Sequence, residues 1–126
     1  MTNFVFDVDG TLTPSRGKMD EGFKRFFLKF IEDHTVYLVT GSDYYKTVEQ
    51  VGVEVTESVE KVFNCSGNSV WKNGENIFNT DWTMPKEAKG WCNMKLSESA
   101  FTLRTGNHIE ERPGLVNFST IGRGCN

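Results

Sequence analysis

Asn3-Phe4-Val5-Phe6-Asp7-Val8-Asp9-Gly10-Thr11-Leu12-Thr13-Pro14-Ser15-Arg16 is the stretch whose reading decides the fold. Phe4-Val5-Phe6 is an uninterrupted apolar run, which predicts a strand buried on both faces. It ends in two carboxylates one residue apart, Asp7 and Asp9. Gly10 follows and lets the backbone turn where a Cβ would obstruct. Acids and a glycine at the carboxyl end of a buried parallel strand stand where open α/β sheets place ligands. Two carboxylates this close are costly to bury unless something positive pairs with them. A hard divalent cation does so, and Mg2+ takes one or two carboxylates plus phosphate oxygens. A calcium loop opening at Asp7 is excluded. Its sixth position would need glycine and holds Leu12, its twelfth would need glutamate and holds Lys18, and a strand precedes it rather than a helix. For a bare Asp-x-Asp-Gly, an ordinary acidic turn is the competing reading.

Length and composition bound the rest. With 126 residues, the chain holds one domain, or one domain and part of another. Ten phenylalanines supply material for a real core. No apolar stretch reaches the length of a membrane span, and the amino terminus lacks a signal-peptide pattern, so no membrane partner is expected. The formal net charge of -3 lacks the basic balance of a general nucleic-acid binder. Cys65, Cys92 and Cys125 are odd in number, widely spaced and without zinc spacing. That pattern suits reduced thiols in a cytoplasmic protein rather than a disulfide framework.

Working outward, Met19, Phe23, Phe26, Phe27, Phe30 and Ile31 recur at helical spacing and predict a helix from about Asp20 to Asp33, its phenylalanine stripe packed in the core. Thr35–Thr40 predicts a strand, and Ser42 a cap for a helix over Asp43–Val51 that Gly52 stops. A strand, helix and strand at this spacing read as a parallel crossover, which sets the Thr40-Gly41-Ser42 turn beside Asp7. Hydroxyls and helix-start N–H groups there suit a phosphate, although a plain cap accounts for the same residues. Lys61–Cys65 predicts a third strand. Ser69–Asn79 carries Asn73-Gly74 between half-apolar arms, a strong hairpin signal. A domain boundary is expected near Thr80, giving residues 1–80 and 81–126. In the second part, Pro85–Ser97 predicts a helix with Ala88, Trp91, Cys92 and Leu96 near one face. Phe101–Thr105, His108–Arg112 and Leu115–Thr120 predict antiparallel strands.

Two strings carry a family resemblance. FDVDGTLTPSR (residues 6–16) resembles the first motif of the haloacid dehalogenase-like superfamily, and in particular that of eukaryotic-type phosphomannomutases. VTGSD (39–43) resembles the superfamily's second motif. FNCSGNSVWKNGE (63–75) resembles the following loop and hairpin, but places Cys65 and Ser66 where the family carries an acidic or amide pair before the glycine. RTGNHIEERPGLVNFSTIGR (104–123) resembles the family's substrate-binding cap segment. The fold so implied is α/β: a haloacid dehalogenase-like Rossmannoid parallel core, then a partial α+β cap with antiparallel strands.

The implied function is interconversion of hexose 6-phosphate and hexose 1-phosphate through an aspartyl phosphate, with Mg2+. Mannose 1-phosphate or mannose 6-phosphate would be the substrate, in the service of GDP-mannose biosynthesis. Asp7 would be the nucleophile, Asp9 the general acid/base, and both would ligate the metal. Arg16 would contact substrate from the core. Thr40 would contact phosphate, with Ser42 as its competitor and Gly41 between them. Arg112 and Arg123 would grip the distal phosphate, with Asn117 in support. A bidentate guanidinium suits that task. A Mg-dependent sugar-phosphate phosphatase and an inactive interaction domain are the alternatives. The family's third-motif lysine, its later acids and a third arginine have no counterpart through Ile121-Gly-Arg-Gly-Cys-Asn126. A truncated chain is therefore expected, associating through its cap as a homodimer or with a complementing chain.

Overall fold

The computed structural model describes residues 2–124, and Cys125 lies outside the described residues. The chain forms two compact units, Met1–Thr80 and Asp81–Asn126. In the first, β1 (Asn3–Asp7), α1 (Glu21–Asp33), β2 (Thr35–Val39), α2 (Tyr44–Val51), α3 (Val53–Ser58), β3 (Lys61–Asn64), β4 (Ser69–Lys72) and β5 (Glu75–Asn79) build one five-stranded sheet in the order β1-β2-β3-β4-β5. The pairs β1–β2 and β2–β3 are parallel, and β3–β4 and β4–β5 antiparallel. At the β4–β5 turn, Asn73 and Gly74 both have positive φ, 50° and 78°, as a type I′ hairpin requires.

One face of this sheet holds the core. Phe4, Phe6, Val36, Leu38 and Val62 point toward Phe27 and Ile31 of α1, Val51 of α2 and Val55 of α3. Leu38 is fully buried, which contributes about 1.5–3 kcal/mol for such a side chain. The phenylalanine stripe of α1 is core in part. Phe27 is buried and stacks with Phe23 and Phe30, whereas Phe26 is 65% exposed. It sits one position before Phe27, a helical step of about 100° off the buried face.

Three sequence expectations change in this unit. β1 alternates between exposed and half-buried residues rather than being buried on both faces. Among the described residues it is an edge strand, with helices packed on its Phe4/Phe6 side alone. The α2 cap is Asp43, whose carboxylate accepts from Lys46 N at 2.8 Å, and not Ser42. The extended backbone at Asp43 puts the cap one residue later. Gly52 ends α2 and leads directly into the unexpected short helix α3.

The second unit holds α4 (Lys86–Glu98) and a separate antiparallel pair, β6 (Ile109–Arg112) and β7 (Leu115–Phe118). Phe101–Thr105 is not a strand. There Arg104 folds back onto the carbonyls of Phe101, Leu103 and Leu96, and Thr105 bonds Ile121 without a ladder forming. Of the expected α4 face only Cys92 is buried, and Trp91 is 53% exposed.

Candidate active site

Beyond β1 the chain wraps over one carbonyl. Val8 O accepts from the N–H groups of Thr11, Leu12 and Thr13, and Gly10 N donates to Thr13 O at 2.9 Å. Gly10 makes the bend at φ +74°, a conformation that strains residues bearing a Cβ. The wrap buries Val8 and Leu12 and leaves the two acids in different surroundings. Asp7 is exposed, on the sheet face shared with Val5 and Val39. Asp9 is half-buried and held: its Oδ1 accepts from Arg16 N at 2.6 Å and from Gln50 Nε2 at 2.7 Å. Arg16 itself is exposed, with φ 57°. Its backbone thus orients Asp9, and its guanidinium is on the surface.

Asp7 pairs in register with Val39, so the Thr40-Gly41-Ser42 turn begins one residue past the partner of Asp7. Thr40 is 3% exposed, and its Oγ1 accepts from Ser42 N at 3.1 Å. The threonine hydroxyl is thus part of the turn's own bonding, while Gly41 is exposed and Ser42 half-buried. The loop after β3 braces the same turn. Ser66 N donates to Thr40 O at 3.0 Å and Cys65 N to Ser42 O at 2.9 Å. Asn64, fully buried, donates from Nδ2 to Ser42 O at 3.2 Å and to Thr47 Oγ1 at 2.8 Å. Cys65 and Ser66 have φ of 51° and 58°, in the region where non-glycine residues are strained. Cys65 is buried to 1% exposure, which fits a packed thiol.

In the second unit, Arg112 and Arg123 meet at one carboxylate oxygen. Glu110 Oε2 lies 3.1 Å from Arg112 Nη2 and 3.1 Å from Arg123 Nε. Arg112 is the more enclosed, its side chain 12% exposed against 37% for Arg123. Asn117 pairs in register with Glu110, so the group is assembled by strand alternation on a two-residue turn. A carboxylate bridging two guanidiniums marks a place that suits an anion.

Sequence reasoning missed Gln50, Asn64 and Glu110. A signal existed for each: Gln50 follows Tyr44 and Thr47 on the buried face of α2, Asn64 follows Val62 on the inward side of β3, and Glu110 shares a strand face with Arg112. As a metal donor set, the first unit offers Asp7 and Asp9. Among the described residues no group of three or more His, Cys, Asp or Glu is placed to hold a metal ion. Two carboxylates with no imidazole or thiolate fit Mg2+, which draws its other ligands from water and phosphate, and do not fit zinc.

A mixed sheet led by a parallel β1–β2–β3 unit, with an Asp-x-Asp turn at the end of β1, defines a class. A haloacid dehalogenase subclass IIB sugar phosphatase superposes with a TM-score of 0.56 at 15% identity, over 78% of this chain and 38% of that one. A haloacid dehalogenase-like hydrolase from Bacteroides thetaiotaomicron gives 0.54 at 16% identity, over 75% and 38%. The fold is that of the haloacid dehalogenase superfamily.

Sequence narrows the class. The family profile described as eukaryotic phosphomannomutase matches residues 23–126, and the chain belongs to that family. Phosphomannomutase of Encephalitozoon cuniculi is 36% identical over 130 residues, 98% of this chain and 51% of that protein. Phosphomannomutase 1 of Homo sapiens is 35% identical over 129 residues, 96% and 49%. The chain therefore spans about half the length of the curated relatives it matches.

Proposed function

We propose that this chain carries phosphoryl-transfer machinery of the phosphomannomutase kind, acting on a hexose phosphate. The observation that carries the reading is the unequal treatment of the two acids: Asp9 is fixed by Gln50 and the Arg16 N–H, while Asp7 stands open. A nucleophile must be reachable, and a proton-transfer group must be oriented. An Asp7 oxygen attacks the phosphorus of a hexose bisphosphate. The O–P bond forms, the bond from phosphorus to the sugar oxygen breaks, and Asp9 gives that oxygen its proton. In the return step the sugar's other hydroxyl attacks the aspartyl phosphate and Asp9 takes the proton back.

Thr40, Gly41 and Ser42 would border the transferring phosphate, with Gly41 and Ser42 better exposed to it than Thr40. Arg16 would contact the sugar. Arg112 and Arg123, with Asn117 beside them, would take the second phosphate in exchange for the Glu110 carboxylate. Mg2+, held by Asp7 and Asp9, would neutralise phosphate charge during transfer. Mannose 1-phosphate and mannose 6-phosphate are the substrates proposed from the names of the relatives. Among the described residues no helix is long and apolar enough to cross a membrane, and the odd number and wide spacing of Cys65, Cys92 and Cys125 in the sequence support a reducing, cytosolic setting.

The exposure of Asp7 also favours a second reading, hydrolysis of the aspartyl phosphate by water. One assay separates the two. The chain is given mannose 1-phosphate, a hexose bisphosphate and Mg2+, beside Asp7→Asn. Mannose 6-phosphate formed by the parent and not by the variant supports the mutase, and free phosphate alone supports the phosphatase. Equal output from parent and variant contradicts both.

A further inference from the structure

A pocket of about 420 Å³ opens within the second unit, at the end of β6. Trp82, Thr83 and Met84 line it from the segment before α4, and Glu111, Arg112 and Pro113 from β6 and the turn after it. Small-molecule sites typically hold about 300–1,000 Å³. Trp82 is 45% exposed, so its indole is open to a ligand rather than packed away. Strand alternation divides the charges of β6 between its two faces. Glu110 and Arg112 share one face and meet at 3.1 Å. Glu111 is on the other, where its Oε2 accepts from Lys89 Nζ at 3.1 Å and its Oε1 has no hydrogen-bond partner among the described residues. The pocket, at the end of the strand, reaches both faces. It therefore combines an aromatic surface, a carboxylate acceptor and a guanidinium donor.

That set matches a pyranose ring. The C–H face of the ring is weakly positive and suits the electron-rich face of an indole. Its hydroxyls donate to a carboxylate and accept from a guanidinium. A purely apolar ligand would desolvate Glu111 and Arg112 without giving them new partners, and a bare anion would make no use of the indole. We propose that this pocket is the hexose subsite of the second unit. The sugar ring lies on Trp82, neighbouring hydroxyls donate to the Glu111 carboxylate, and the phosphate of the same molecule engages Arg112. The inference rests on the reading of the substrate as a hexose phosphate, and it names the residues that select the sugar. Trp82 and Glu111 set specificity, because inorganic phosphate engages the arginines alone.

The test uses the full chain without Mg2+, so that Asp7 and Asp9 do not act as a metal site. Affinities for mannose 6-phosphate and inorganic phosphate are measured by calorimetry, and the indole N–H resonance of Trp82 is followed by NMR. Mannose 6-phosphate should bind at least about tenfold tighter than inorganic phosphate. It should also shift the Trp82 resonance, which inorganic phosphate leaves in place. Trp82→Ala removes the tenfold margin and leaves phosphate affinity unchanged, Trp82→Phe keeps most of the margin, and Glu111→Gln reduces it. Arg112→Gln weakens both ligands. Amide exchange in β6 and β7 reports that the second unit of each variant is intact. Equal affinity for the two ligands, no binding of the sugar phosphate, or a margin indifferent to Trp82→Ala overturns the proposal. Asp7→Asn leaves these affinities unchanged, so the subsite is judged apart from whether Asp7 accepts a phosphoryl group.

Discussion

Removing the Gln50 amide tests how Asp9 is held. Gln50 is 2% exposed. Its Nε2 donates to Asp9 Oδ1 at 2.7 Å and reaches Thr13 Oγ1 at 3.5 Å. Its Oε1 is buried without a hydrogen-bond partner among the described residues. A hydrogen bond to a charged group contributes about 1.5–3 kcal/mol, and a buried polar atom without a partner costs about 1–3 kcal/mol. These terms oppose one another and are of similar size, so Gln50→Leu alone gives a small net change in stability. The bond itself is isolated by a double-mutant cycle with Asp9→Ala. Partial exposure of Asp9 puts the expected coupling at the lower end, about 1–2 kcal/mol. The assay is urea unfolding of the four proteins near neutral pH, followed by amide exchange at Leu38 and Val62 so that the first unit is read by itself. For a unit of residues 1–80, each kcal/mol corresponds to about 4–8 °C in thermal midpoint. A coupling under about 0.3 kcal/mol would refute the claim that Gln50 holds Asp9.

Three further outcomes are expected. Ser66→Gly relieves a non-glycine residue at φ 58° and should stabilise the first unit by about 0.5–1 kcal/mol in chemical denaturation, provided the loop keeps its Thr40 contact. Glu110→Gln removes the charge shared by Arg112 and Arg123. It should lower the stability of the second unit by about 1 kcal/mol, read from amide exchange in β6 and β7. Lys72, 2.8 Å from Glu60, holds that carboxyl below the usual range, first by hydrogen bond and then by charge, and Glu60 in turn raises the Lys72 ammonium. The carboxylate's contribution is present above its unfolded pKa and is lost as pH falls through the lowered folded value. The ammonium's is present below its unfolded pKa and is lost as pH rises through the raised folded value. The pair therefore stabilises most between the two ranges, and Lys72→Gln should flatten the acid limb of a stability–pH curve.

Local pattern carried most of the fold. The helical spacing of Phe23, Phe27 and Ile31 and the Asn73-Gly74 turn are consequences of neighbours in sequence, and each gave an element close to its observed bounds. The placement of the turn at Thr40 beside Asp7 also followed, because a parallel crossover aligns strand ends. What pattern could not give depends on neighbours distant in sequence. Phe4-Val5-Phe6 reads as doubly buried, but burial of Val5 requires a layer that no described residue supplies. Phe101–Thr105 has strand-like composition but joins no ladder among the described residues. Gln50 and Glu110 became visible only when α2 met the β1 turn and β6 met the Arg123 segment, since an ion pair or buried amide acquires its meaning from a partner.

Beryllium trifluoride binds an aspartate nucleophile as a phosphoryl mimic and gives the most direct measurement on Asp7. With Mg2+ present, fluorine NMR of the chain should show bound resonances that disappear in Asp7→Asn and survive in Asp9→Asn. Bound resonances that persist without the Asp7 carboxylate, or none in the folded parent chain, would contradict Asp7 as the phosphoryl acceptor.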